Sequence, residues 1–502
     1  MAAGESTGLG RLRATVPESG PAKPSLANKL FYSLGQFAQS GGFETALGFV
    51  FFYYTAVLGL AGSLVGLALA VSLAFDAAVD PIVGSWSDNI QSRWGRRLPI
   101  MLLAAPLMPI AVGLVFAPPR GLGQVALFWW LTVSCVAVRS SISLFNVPYF
   151  ALGAEMAEDY VERSNVVAFR AIAGIGAGVM VTLAAFMLFF TGKLGLQRAG
   201  AYPGFGWMVG ALIGVFSLAC VVGLRRYAAG LPRARTVDQP IWRRLPGELA
   251  EIFRNPSFRL LFISAVVFYV AVGLNATLQS HASVFVWRLP AQLIQLLGYG
   301  YLVGILVGIA LTPAVSAWLE KKTMVIVGLG VVALVWIILP GLRALGLFTL
   351  TGAAVALPLT INSVIAGIGV GLVAVAYPSM MADAADEHEL LMGSRREGLY
   401  FAGLGFAGKA ATGLGVLVAG FALDLIGFPK DVAHMAVGAL PPQVLSRLML
   451  AHGPGAAVIG IIALVIFSPY SISRARQKEI SHALQLNRAA SLEVPHGIAP
   501  GA

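Results

Sequence analysis

Two aspartates four residues apart make the strongest chemical demand in this chain. Asp76 and Asp80 lie in Phe75-Asp76-Ala77-Ala78-Val79-Asp80-Pro81, inside an otherwise apolar run. On a helix, that spacing puts both carboxylates on one face with Cβ atoms roughly 6 Å apart. An ionisable group at a membrane helix centre costs about 2.5–3.5 kcal/mol on insertion scales, so each needs a reason. Two like charges this close also repel unless something positive stands between them. A sodium ion, a proton or a basic side chain would each serve. Hard cations prefer oxygen ligands, intramembrane carboxylates mark ion and proton pathways, and Pro81 frees a backbone carbonyl one turn earlier. A coupling-ion role therefore leads over plain pairing with Arg or Lys from neighbouring helices.

The bases are fewer. Lys409 lies in Gly405-Phe406-Ala407-Gly408-Lys409-Ala410, where glycines allow close helix approach and turn the ammonium towards a helix interface. It could hold a substrate oxygen, neutralise the paired aspartates, or form a static Lys–Asp bridge. Arg170 stands near a helix start, equally suited to snorkelling and to holding hydroxyls bidentately. Arg139 reads as structural, with no obvious partner, and Glu44 could pair with either arginine. Gln36, Gln39, Ser40, Asn146, Asn275 and Gln279 are softer candidates, since a lone amide in a membrane helix more often bonds another helix than a ligand. His281, towards a helix end, reads as solvated.

Positioning these groups is the work of helices. The chain has 502 residues, 58% of them hydrophobic and only 11% charged, against roughly a quarter charged in soluble chains. The composition specifies an integral membrane protein and excludes a soluble catalytic domain. About twelve runs reach the ~20 residues that cross a hydrocarbon core. Those carrying the candidate residues span 30–56, 63–86, 123–150, 166–190, 260–286 and 398–425. They lack the two-residue alternation of a membrane barrel. Most of the 34 Lys and Arg fall in the tails and in the loops after even-numbered runs, which places those loops and both termini in the cytoplasm. The formal charge of +11 is thus a topology signal; without aromatic interleaving it does not describe a nucleic-acid surface. Cys135 and Cys220 read as small core hydrophobes rather than a disulfide.

The longest polar stretch between runs, 225–257, divides the chain into two sets of six helices. The expected organisation is a flexible cytoplasmic tail over 1–28, bundles over 29–224 and 258–470 joined by a cytoplasmic linker over 225–257, and a cytoplasmic tail over 471–502. The halves echo each other: Ser85-Trp86-Ser87-Asp88 precedes a basic loop as Ala317-Trp318-Leu319-Glu320 precedes Lys321-Lys322, and Val147-Pro148-Tyr149 leads to Glu155 as Tyr377-Pro378 leads to Asp383. A duplicated six-helix unit around a midplane site is the architecture of a major-facilitator transporter. There is no Walker loop, no His/Cys cluster with metal spacing and no nucleophile elbow, so an enzyme is not expected. A non-transporting sensor or a membrane enzyme is the remote alternative.

The segment Asp76-Ala-Ala-Val-Asp80-Pro81-Ile-Val-Gly84, running into Ser87-Asp88 and Ser92-Arg93-Trp94-Gly95-Arg96-Arg97-Leu98-Pro99, closely resembles the glycoside–pentoside–hexuronide:cation symporters. Further matches are Lys29-Leu30-Phe31-Tyr32, Tyr53-Tyr54-Thr55, Asn146-Val147-Pro148-Tyr149, Glu162-Arg163 followed by Arg170, Asp383-Ala-Ala-Asp386, Arg395-Arg396-Glu397 and Lys409, so the resemblance covers about 29–470. It implies a coupling cation, sodium or proton, at Asp76, Asp80 and Ser143, with Asp76 and Asp80 the carboxylate ligands if the ion is sodium. It implies that Arg170 and Lys409 line the substrate cavity, for which Gln39, Ser40, Asn146 and Phe150 are the further candidate lining residues. It also implies a cytoplasmic gate lock of Asp88, Arg93, Arg96 and Arg97.

Two positions depart from the family's melibiose-transporting member. Its sugar-binding aspartates in the first and fourth helices correspond here to Ser40 and Asn146, which lose charge-assisted bonds and leave the substrate open. Its Asn cation ligand corresponds to Val79, which weakens the sodium case; Ser143, one turn before Asn146, supplies one oxygen in exchange. The expected protein is a monomeric inner-membrane symporter importing a sugar or glycoside by alternating access, with an amphipathic lysolipid as the second candidate. It needs the bilayer, no nucleic acid and no cofactor beyond the ion.

Overall fold

The computed structural model describes residues 23–90, 92–157, 159–231, 247, 250–394, 396–430, 432 and 440–493, with the side chains of 40–42, 160 and 488–493 outside that description. The N-terminal tail over 1–22, the linker core over 232–246 and Arg395 therefore lie outside the described residues. What is described is helical, and eleven helices are long and apolar enough to cross a membrane. The second to sixth spans are Gly62–Asn89, Leu98–Phe116, Gln124–Glu155, Val161–Phe189 and Ala201–Ala229. The seventh to twelfth are Pro256–Val286, Ala291–Trp318, Lys321–Ala344, Gly352–Met392, Glu397–Leu425 and Pro442–Phe467.

The first span is a broken helix. Leu26–Leu34 is α-helical, Phe37–Glu44 and Tyr53–Val57 wind as π-helix, and Thr45–Phe52 joins them. π-turns place one extra residue per turn and concentrate at functional sites; here they carry Gln39, Ser40 and Glu44. At the start of the break, a Cβ on Gly35 would meet the Tyr149 ring at 2.5 Å, so the first and fourth spans touch where only glycine fits.

Two helices outrun the expected boundaries. The fourth continues through Pro148 to Glu155, and the tenth through Pro378 to Met392. A proline removes one backbone bond and bends a helix without having to end it. Glu155 and Asp383 consequently stand on continuous helix, where they meet basic residues at the starts of the third and ninth spans. Arg97 lies 2.9 Å from Glu155, and Lys321 lies 2.6 Å from Asp383. The sequence echo between the halves is thus matched by the same ion pair at the same place.

Packing runs mainly within each half: second against fourth, third against sixth, seventh against eleventh, eighth against tenth, ninth against tenth. The extensive crossing between halves is that of the second and eleventh spans. Let the lower face be the one where the first span begins and the last ends, and the upper face its opposite. On the upper face the halves are joined. Gly62 and Ser63 donate their N–H groups to Asp424 at 2.8 and 2.9 Å, and Thr55 Oγ1 meets His281 Nε2 at 2.8 Å. Ion pairs between described residues on the lower face each stay within one half.

Candidate coupling and substrate site

The second and fourth spans pack side by side, and the fourth presents one face to the site. Arg139, Ser143, Asn146 and Phe150 follow at steps of four, three and four, the period of a single helical stripe. At its upper part Ser143 Oγ donates to Asp76 Oδ1 at 2.7 Å, while Arg139 Nη1 lies 3.8 Å from Asp76 Oδ2. Arg139 therefore has a partner after all, and the sequence reading of it as partnerless is corrected. The pairing was hidden because it depends on how two helices face each other.

Asp80 is half-buried one turn below Asp76. Lys409 and Arg139 are the cations that act on it electrostatically. The same two cations act on Glu44 from the π-helical stretch. Five charged groups from four spans and both halves thus converge: Glu44, Asp76 and Asp80 against Arg139 and Lys409. With every group ionised the cluster is one positive charge short of neutral. Among the described residues no three His, Cys, Asp or Glu side chains sit close enough to hold a metal ion by themselves. A hard cation at the pair would draw on Asp76, Asp80, the Ser143 hydroxyl and backbone oxygens.

The lower part of the stripe faces a different chemistry. Asn146 is buried and, among the described residues, its Oδ1 has no hydrogen-bond partner, a buried acceptor left open for a donor. The Arg170 guanidinium stands 4.8 Å from the centre of the Phe150 ring, a cation–π arrangement. Tyr32 and Tyr149 stack at 4.4 Å and exchange hydrogen bonds with each other's carbonyls. Arg170 is partly buried and lies over the Phe150 ring rather than snorkelling. Gln39 accepts from Gln36 Nε2 at 3.3 Å, and the Ser40 side chain is outside the described residues.

The four expected gate residues separate. Arg97 bridges Asp88 at 2.6 Å and Ser87 Oγ at 3.0 Å, and Arg96 joins it on Glu155 at 2.6 Å. Arg93 is exposed and stands over the ring of its neighbour Trp94. Glu155, the common acceptor, was missed as a gate residue; its position after Val147-Pro148-Tyr149 was the available signal.

His281 is not solvated. It is fully buried among Phe51, Phe52, Phe285 and Phe428. Thr55 donates its own proton to the Phe51 carbonyl at 2.7 Å, so its oxygen accepts from the His281 Nε2–H. A second buried histidine, His452, bonds the Asn275 and Gln279 side chains, so these amides tie the seventh span to the twelfth.

The model of the MFS/sugar transport protein family matches residues 31–474 of this chain. The chain belongs to that family. It is an integral membrane transporter of the symporter type, not an enzyme, with the major-facilitator fold. The isoprimeverose transporter of Lactiplantibacillus pentosus is 24% identical over 414 residues, covering 82% of each chain. The glucuronide carrier protein homolog of Escherichia coli (strain K12) is 26% identical over 473 residues, covering 89% of this chain and 93% of its own. Among solved structures, a bacterial homolog of the human lysosomal transporter Spinster, crystallised inward-facing and unoccupied, superposes with a TM-score of 0.58 at 16% identity, covering 95% of this chain and 98% of that one. That likeness carries the fold alone.

Proposed function

We propose that this transporter is a cation-coupled symporter of a sugar or glycoside, working by alternating access in an inner membrane with both termini cytoplasmic. The observation that carries the reading is the charge cluster at the contact of the two halves. Three carboxylates face two basic side chains, so with every group ionised one added monovalent cation neutralises the group. Neutralising it removes the repulsion between Asp76 and Asp80 and lets the halves close around the substrate. Arg170 on Phe150, the open Asn146 acceptor, Gln39, Ser40 and Lys409 form the substrate wall, whose guanidinium and amide suit hydroxyl groups. The lower-face residues Asp88, Arg93, Arg96 and Arg97 serve as the cytoplasmic gate. The two relatives named above, one an isoprimeverose transporter by name and the other a glucuronide carrier protein homolog, support a carbohydrate. The concentration of basic residues at the lower ends of the spans, among them Arg93, Arg96, Arg97, Arg225 and Arg226, supports the orientation.

The test is uptake into proteoliposomes of a labelled sugar panel and one lysophospholipid, under imposed sodium or proton gradients, with Asp80→Asn alongside. Accumulation of a sugar driven by one gradient and lost in Asp80→Asn is the expected result. Uptake of the lysophospholipid only would keep the coupling and replace the substrate. Movement indifferent to both gradients and to the substitution would overturn the coupling role of the aspartates.

A further inference from the structure

Both oxygens of Asp76 are already engaged, one by the Ser143 hydroxyl at 2.7 Å and the other by Arg139 Nη1 at 3.8 Å. Arg139 is held in that position by two further contacts. Its Nε donates to Ser72 Oγ at 3.1 Å, and its guanidinium stands 5.7 Å from the centre of the Phe43 ring. Ser72 is one helical turn before Asp76 on the same face, so the arginine lies along the second span rather than merely near it. A guanidinium keeps its charge throughout the accessible pH range, and its planar fork is anchored at Ser72 while its outer nitrogen reaches the carboxylate.

We propose that Arg139 is a tethered counter-cation of the coupling site, which competes with the coupling ion for Asp76 and sets how tightly that ion is held. The inference rests on the reading of Asp76 and Asp80 as the cation pair. A mobile cation that takes Asp76 has to displace the guanidinium by a short distance. The Ser72 and Phe43 contacts keep the displaced group close, so it returns when the ion departs. The tether also limits the stoichiometry. With Arg139 and Lys409 both present, the three carboxylates have room for one added charge; without Arg139 they have room for two. An arginine in this place therefore trades ion affinity for ready release, which a transporter needs at the end of each cycle.

The experiment is binding of radiolabelled sodium to the purified full-length protein in detergent at one fixed pH, for the wild type, Arg139→Gln, Arg139→Lys, Ser72→Ala and Asp80→Asn. Removing the resident charge in Arg139→Gln is expected to tighten sodium binding by about tenfold or more, while Arg139→Lys stays near the wild type. Ser72→Ala frees the anchor without removing the charge and is expected to tighten binding by roughly a few-fold, which keeps the test decisive if Arg139→Gln does not fold. Equal or weaker binding by Arg139→Gln and Ser72→Ala, with Asp80→Asn still abolishing it, overturns the tether and leaves the cation pair standing. Absence of saturable sodium binding in the wild type and in Arg139→Gln alike also overturns the tether. Binding that survives Asp80→Asn overturns the cation pair itself.

Discussion

Asp424, at the end of the eleventh span, caps the start of the second: its two carboxylate oxygens accept from the backbone N–H groups of Gly62 and Ser63 at 2.8 and 2.9 Å. The first N–H groups of a helix have no partner within it and carry a partial positive charge, so a carboxylate there both satisfies donors and complements the dipole. Because the helix and the carboxylate belong to different halves, this cap is a contact that any motion opening the upper face has to break. Thr55 and His281 add a second bond on the same face.

Asp424→Ala should loosen the upper face by about 1 kcal/mol, the worth of a lost N-cap. A cysteine introduced at Leu60 reports on it, because the native Cys135 and Cys220 are buried and contribute little background. Several-fold faster maleimide labelling in Asp424→Ala is the expected outcome; an unchanged rate would show that the cap does not govern closure.

Arg170→Lys keeps the charge but loses the planar face over Phe150 and the forked donors. Cation–π contacts are worth roughly 0.5–2 kcal/mol, so substrate affinity in uptake assays should fall by about three- to thirtyfold. The unfolding temperature should stay close to the wild type's. A matching loss of stability would assign Arg170 to packing instead.

The eighth and tenth spans cross at glycines. A Cβ on Gly304 would stand 2.1 Å from the Val364 carbonyl oxygen and 2.9 Å from Gly367 Cα. Gly304→Val should therefore force the helices apart at a cost of about 1–3 kcal/mol or more, seen as a lower unfolding temperature in detergent. Gly330→Ala, where a Cβ meets nothing within 4 Å, is the control expected to change little.

On the lower face Glu251 accepts from Ser394 Oγ at 2.7 Å and pairs with Arg396 at 3.2 Å. The Ser394 hydroxyl first, then His388 and Arg396, hold its carboxyl below the ordinary 4.5. A carboxylate whose pKa is lower folded than unfolded contributes stability above the unfolded value and loses it as pH falls through the folded one. The wild type should lose this contribution below about pH 4.5, and Glu251→Gln should flatten the acid limb of a plot of unfolding temperature against pH. Parallel acid limbs would show that the contacts of Glu251 with Ser394 and Arg396 do not carry this stability.

Much of the site was legible along the chain. The four-residue spacing of Asp76 and Asp80, and the stripe Arg139, Ser143, Asn146, Phe150, follow from helical periodicity alone, because residues three and four apart must share a face. Composition determined that the chain crosses a membrane, and the punctuation around Glu155 and Asp383 marked the similarly placed ion pairs of the two halves. What periodicity cannot supply is which face meets which partner. Arg139 read as partnerless and His281 as solvated because their partners, Asp76 and Thr55, lie 63 and 226 positions away. Pro148 and Pro378 read as helix exits because a proline's local cost is visible in sequence, whereas the tertiary contacts that carry a helix past it are not. The sequence by itself determined the membrane class, the helices and the identity of the groups that could carry charge. Only the tertiary structure decided which charges meet, since the attraction between Arg139 and Asp76 depends on a distance that helix packing, not chain order, sets.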